Sequence, residues 1–130
     1  MASWNLANTQ HHLLICNGSS CKKEGAEELT QSIRDEIMAK DLDSYIHTSR
    51  TLCNGRCQDK CVLISYPDGH WYKEMTSDDA PRFIDSLMNG NTIADRISHT
   101  YNGKGFVRSE GTPAGKEKNA ELVKKVSKNL

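Results

Sequence analysis

The order of patterned segments in this chain predicts an α/β fold: a mixed four-stranded sheet, made of a βαβ unit followed by a β-hairpin, flanked by helices. Two observations carry that expectation. A short apolar strand, a helical stripe and a second strand follow one another in the first 51 residues. Then comes an apolar run, a Pro-Asp-Gly turn and a second β-rich run, which together read as a hairpin.

The elements follow in order. Residues 12–16 read as a short buried strand ended by the turn formers Asn17-Gly18-Ser19-Ser20. Between residues 23 and 40, Ala26, Leu29, Ile33 and Ile37 fall three or four apart and give a helix one apolar face. Glu36 and Lys40 make a favourable i,i+4 pair on its outer side. Residues 45–51 suggest a second strand, with Tyr45, His47 and Ser49 on one face and Ile46 and Thr48 on the other. Residues 62–66 are the clearest strand, and 71–75 return from the turn. Thr76 or Ser77 caps the next helix, Asp78 and Asp79 suit its positive end, and Pro81 sits early enough to be tolerated. Phe83, Ile84, Leu87 and Met88 form its apolar face, and Gly90 ends it. Ile93 and Ile97 mark a last packed segment. From residue 98 the chain turns rich in Gly and Lys. The expected division is one domain over 1–97 and a mobile tail over 98–130, with a marginal amphipathic helix through Leu122, Val126 and Leu130.

Bulk properties exclude several classes. Seventeen basic and seventeen acidic residues cancel, so no global field favours nucleic acid. No stretch approaches the roughly 20 apolar residues of a membrane span. The first residues lack a basic stretch, and 13–16 is too short a run for a signal peptide, so a cytoplasmic location is expected.

Five cysteines are the most specific chemical signal. Cys16 and Cys21 form a C-x4-C pair, and Cys53, Cys57 and Cys61 a C-x3-C-x3-C run. In a reducing compartment such clusters bind metal or do redox work, and an odd count disfavours a disulfide framework. A parallel βαβ unit brings the ends of its two strands to one sheet edge. Cys16 and Cys21 leave the first strand, and Cys53 and Cys57 leave the second. The fold should therefore set the two pairs on adjacent, exposed loops, with Asn17-Gly18 and Asn54-Gly55 leaving little bulk between them. On spacing alone Cys57 and Cys61 could replace Cys53 and Cys57 as the second pair.

The other constellations are weaker. His11-His12 reads as surface histidines rather than ligands, and His47, His70 and His99 are isolated. Trp71 and Tyr72 read as hairpin packing. Lys22, Lys23, Arg56 and Lys60 read as solvated loop charges. No Ser/His/Asp set, phosphate loop or aromatic–basic nucleic-acid motif is present.

Taken together, Cys16-Asn-Gly-Ser-Ser-Cys21, Cys53-Asn-Gly-Arg-Cys57 and Tyr66-Pro-Asp-Gly-His-Trp-Tyr72 resemble the thioredoxin-like [2Fe-2S] ferredoxin family, relatives of the small peripheral [2Fe-2S] subunit of respiratory complex I. The resemblance spans residues 12–97. It implies a thioredoxin-like fold and a [2Fe-2S] cluster held by Cys16, Cys21, Cys53 and Cys57. It implies one-electron transfer with partner reductases or oxidases, no enzymatic reaction, and a homodimer. Cys61 departs from the family pattern and reads as a buried, non-ligating thiol. Two alternatives stand beside this. One is a structural zinc module on the same four cysteines. The other, a thiol oxidoreductase, suffers from the lack of a C-x-x-C motif.

Overall fold

The computed structural model describes residues 2–127. Buried apolar runs make the inner strands of a sheet built from β1 (His11–Cys16), β2 (Ile46–Thr51), β3 (Leu63–Tyr66), β4 (His70–Tyr72), β5 (Ile97–Tyr101) and β6 (Phe106–Arg108). The six strands lie in the order β2-β1-β3-β4-β5-β6. Strands β1 and β2 run parallel, with Cys16 opposite Thr51, and every other neighbour is antiparallel. The α/β class and the βαβ-plus-hairpin order are as expected, but the sheet has two more strands than the four expected. The expected boundary after residue 97 falls inside β5. Residues 97–108 pair as a second hairpin on β4, so they belong to the domain rather than to a tail. The signal was the Asn102-Gly103 turn between two β-rich runs, with Gly103 at φ +94°, but β6 is an exposed edge strand without the buried apolar run that marks an inner strand.

Helices α1 (Ser19–Lys23), α2 (Ala26–Ala39), α3 (Ala80–Met88) and α4 (Ala120–Ser127) complete the fold. The helix expected over 23–40 begins later than a continuous reading from Lys23 would have it. Gly25 adopts φ +99°, a left-handed conformation that separates α1 from α2. The predicted stripe Ala26, Leu29, Ile33 and Ile37 is buried against the sheet residues Leu13, Ile15 and Leu63. Each of the Leu and Ile side chains contributes about 1.5–3 kcal/mol, Ala26 less. Lys40 pairs with Glu36 at 2.7 Å and also with Asp85 at 2.8 Å, tying α2 to α3. Tyr72 meets Phe83 of α3 edge to face, ring centroids 5.0 Å apart.

The hairpin turn forms as its residues require. Gly69 takes φ +76°, and a Cβ there would lie 2.8 Å from that of Tyr101. The returning strand β4 is shorter than the expected 71–75, because the chain leaves the ladder after Tyr72 and Glu74 turns left-handed at φ 52°. Trp71 lies on the sheet face away from Tyr72, edge-on to Phe106 at 6.0 Å. The amphipathic C-terminal segment forms a helix at α4, with Leu122 and Val126 exposed. Leu130, expected to extend its apolar face, lies outside the described residues.

The entry to α3 is built on a buried carboxylate. Thr76 and Asp79 form a reciprocal capping box around the 3-10 turn Ser77–Asp79. Asp79 Oδ2 accepts from the Thr76 backbone N–H at 2.8 Å, and Arg82 Nη2 donates to Oδ1 at 2.8 Å. Burial opposes the Asp79 charge, but the Thr76 N–H, Arg82 and Arg96 outweigh it and hold the carboxyl below its usual range. Its contribution is therefore complete above the ordinary carboxylate pKa of 3.8 and is lost as pH falls through the depressed folded value. Asp79→Ala is expected to cost about 3 kcal/mol at neutral pH. Urea unfolding at pH 7 and pH 3 checks this, the difference between wild type and variant shrinking at the lower pH.

Candidate functional site

The two cysteine pairs meet at the ends of β1 and β2. Cys16 is the last residue of β1, and Cys21 lies in α1 rather than in a loop. Cys53 follows β2, and Cys57 opens a 3-10 turn, Cys57–Asp59. The Asn17 N–H donates to Thr51 C=O at 2.8 Å, which fastens the two segments at their roots. The Asn17 amide donates to Ile15 C=O and to Thr30 Oγ1, anchoring the first segment on α2. The Asn54 amide does the same for the second, donating to Thr51 Oγ1 at 2.6 Å.

Gly18 lets the segments close. Its backbone, at φ −63° and ψ 166°, is open to any residue, so the demand for glycine is purely steric. A Cβ at Gly18 would lie 2.9 Å from both Cα and N of Cys53. Gly55 serves differently: it takes φ +80° in open space and aims its N–H at Cys53 Sγ, 3.3 Å away.

Cys16, Cys21, Cys53 and Cys57 line one small cavity together with Gly18 and Arg56. Cys53 Sγ and Cys57 Sγ are 3.6 Å apart. Cys16 and Cys21 are close enough for each thiol to bias the other's ionisation. Among the described residues no three or more His, Cys, Asp or Glu side chains converge on a single point suited to one metal ion. The expectation that both segments would be exposed holds for the second alone: Cys53 and Cys57 are exposed, while Cys16 and Cys21 are buried at 3% and 2% exposure. The first pair is buried because β1 lies inside the sheet and α1, which carries Cys21, packs against α2.

Backbone dipoles and burial compete at the sulfurs. At Cys16 burial opposes the thiolate, but N–H groups of Gly18 and Asn54 outweigh it and hold the thiol below its usual pKa. Burial pushes the Cys21 thiol up to about 12 despite the Val62 N–H. At Cys53 the Gly55 N–H favours the thiolate, yet burial and the neighbouring Cys57 together raise the pKa. Cys61 is buried, its Sγ 3.5 Å from the carbonyls of Cys21 and Glu24, and burial raises its pKa to about 11.

Sequence reasoning undervalued Arg56. It is not a solvated loop charge: Arg56 Nε donates to the buried Asp59 at 2.7 Å, and its side chain is only 17% exposed. The i,i+3 spacing to Asp59 was the signal available. Lys22, Lys23 and Lys60 are exposed, as expected.

A four-thiol site at the ends of parallel neighbours in a mixed sheet defines a small α/β thiol-site protein. No family model matches the chain. It is 46% identical over 113 residues to a candidate 2Fe-2S ferredoxin of Priestia megaterium, covering 86% of this chain and 88% of that one. It is 26% identical over 100 residues to a 2Fe-2S ferredoxin of Clostridium pasteurianum, covering 71% of this chain and 98% of that one. Among solved structures, a thioredoxin-like [2Fe-2S] ferredoxin from Aquifex aeolicus superposes with a TM-score of 0.65 at 19% identity, over 81% of this chain and 99% of that one. The chain belongs to the thioredoxin-like [2Fe-2S] ferredoxin family.

The steric role of Gly18 is separable from conformational strain. Gly18→Ala should destabilise the iron-free protein by about 1–3 kcal/mol through overpacking against the Cys53 backbone. Gly55→Ala, with open space but a left-handed backbone, should cost about 1–2 kcal/mol. Urea titrations of both variants check the pair, and an unchanged Gly18→Ala midpoint would show that the two segments can separate freely.

Proposed function

We propose that this protein is a one-electron carrier holding a single [2Fe-2S] cluster on Cys16, Cys21, Cys53 and Cys57. The observation that carries the reading is the pairing of sulfurs around one cavity. Two sulfurs bonded at about 2.3 Å to one tetrahedral metal lie about 3.8 Å apart, and the Cys53–Cys57 separation is 3.6 Å. A two-iron unit takes two cysteines per iron, so it asks for two pairs, whereas zinc asks for four sulfurs about one point. The donor set fits the first request. When bound, the cluster supplies one-electron redox chemistry.

The chain's own residues would do the rest. The Gly18, Asn54 and Gly55 N–H groups supply donors to sulfur, which ease the negative charge of four thiolates. Burial of Cys16 and Cys21 excludes water from one side, and exposure of Cys53 and Cys57 leaves an edge for electron exchange. Cys61 directs its thiol to two carbonyls and is not a ligand in this reading. The reading places substrate chemistry with partner reductases or oxidases rather than with this protein. It includes a homodimer and a cytoplasmic location, the latter in keeping with the lack of any helix long and apolar enough to cross a membrane among the described residues.

Anaerobically purified protein should contain about two irons and two acid-labile sulfides per chain, with visible charge-transfer absorbance. Protein containing zinc and no sulfide refutes the proposal. Ser at Cys16, Cys21, Cys53 or Cys57 should abolish or strongly perturb the visible spectrum, while Cys61→Ser leaves it largely intact. Sedimentation velocity reports the dimer, and a monomer at micromolar concentration removes that part of the reading.

A further inference from the structure

The chain after β6 does not drift into solvent. Ser109 N–H donates to Ser98 C=O on β5 at 2.7 Å. Thr112 is buried at 2% exposure. Its Oγ1 accepts from Lys73 Nζ at 2.7 Å, and its carbonyl accepts from Arg108 Nη1 at 2.7 Å. The chain then crosses to the second cysteine segment. There Arg56 Nη2 donates to Pro113 C=O at 2.5 Å and Nη1 to Ala114 C=O at 3.3 Å. Gly115 lies so close that a Cβ on it would be 2.8 Å from Arg56 Nη1.

We propose that residues 109–115 form a strap that locks the segment between Cys53 and Cys57, with Arg56 as the positioning residue that joins strap to segment. The guanidinium suits this role because its planar fork serves several acceptors at once, which an ammonium cannot match. One edge is held by Asp59, which is 1% exposed and fixed in turn by a hydrogen bond from Glu74 N–H to its carbonyl. The other nitrogens hold the strap. Arg56 immediately precedes Cys57 and lines the same cavity as the four sulfurs. Freezing its side chain therefore restrains the backbone that carries the more exposed sulfur pair. Ser98 C=O holds the far end of the strap at Ser109, and Lys73 and Arg108 hold its middle at Thr112, so the strap bridges the sheet and the site.

The effect on the cluster rests on the ferredoxin reading; the strap itself does not. Two full-length variants test both. Arg56→Lys keeps a counter-ion for the buried Asp59 but loses the fork, and Gly115→Ala crowds Arg56 while sparing the ion pair. In iron-free protein, amide hydrogen exchange across 54–57 and proteolytic cleavage within 109–115 should both run about tenfold faster in each variant. In loaded protein, chelator-driven iron loss should accelerate in parallel and the visible circular dichroism should change. Unchanged exchange at 54–57 in Arg56→Lys overturns the proposal. So does a loosened strap with iron loss and dichroism identical to wild type. Wild-type protein that takes up no iron defeats the ferredoxin reading alone, and the exchange measurement then decides the strap.

Discussion

Gly18 and Cys53 meet backbone to backbone, and the geometry of the site depends on that contact. The parallel pairing of β1 and β2 delivers two chain ends to one edge, but parallel neighbours stand about 4.8 Å apart. Side chains would ordinarily keep the departing segments further away. Removing one Cβ lets the second segment lie directly on the first, and the Asn17 N–H to Thr51 bond holds the approach at its base. Two thiol pairs then border one cavity without any distortion of the sheet beneath them. Asn17 and Asn54 complete the arrangement by tying each segment to its own strand.

The site is asymmetric in solvent and charge. Its first pair sits over the core, where α1 and β1 keep water out, and its second pair sits at the surface. Backbone N–H groups reach Cys16 and Cys53, the opening residue of the first segment and the opening residue of the second. An anionic cluster in this setting would be stabilised by fixed dipoles rather than by nearby ammonium groups, since Lys22, Lys23 and Lys60 point to solvent. Arg56 is the exception among the basic residues, and its charge is already matched by Asp59.

The sheet's second half explains where the tail went. Residues 97–108 have few large apolar side chains, and β6 buries none of its three. The Asn102-Gly103 turn, with Gly103 at φ +94°, is the local signal that β5 and β6 form a hairpin, whereas the pairing of β5 on β4 is a contact between distant segments that local periodicity does not carry. Thr112 is likewise a polar residue buried by distant contacts, because Lys73, just beyond β4, and Arg108 of β6 converge on it.

The sequence by itself determined the parts of this protein that depend on local pattern or exact residue type. Those are the βαβ-plus-hairpin order, the α2 stripe, the capped start of α3, the glycine-dependent turn, and the five sulfurs with their spacing. Local side-chain periodicity and backbone sterics act over a few residues, so they are legible without the fold. Tertiary structure alone decided the six-stranded width of the sheet, the burial of Cys16 and Cys21 against the exposure of Cys53 and Cys57, and the diversion of the Cys61 thiol to two carbonyls. It also decided the meeting of Arg56 with residues 113 and 114. Each of these is a contact between segments distant along the chain, and its partners are set by three-dimensional packing rather than by neighbouring residues.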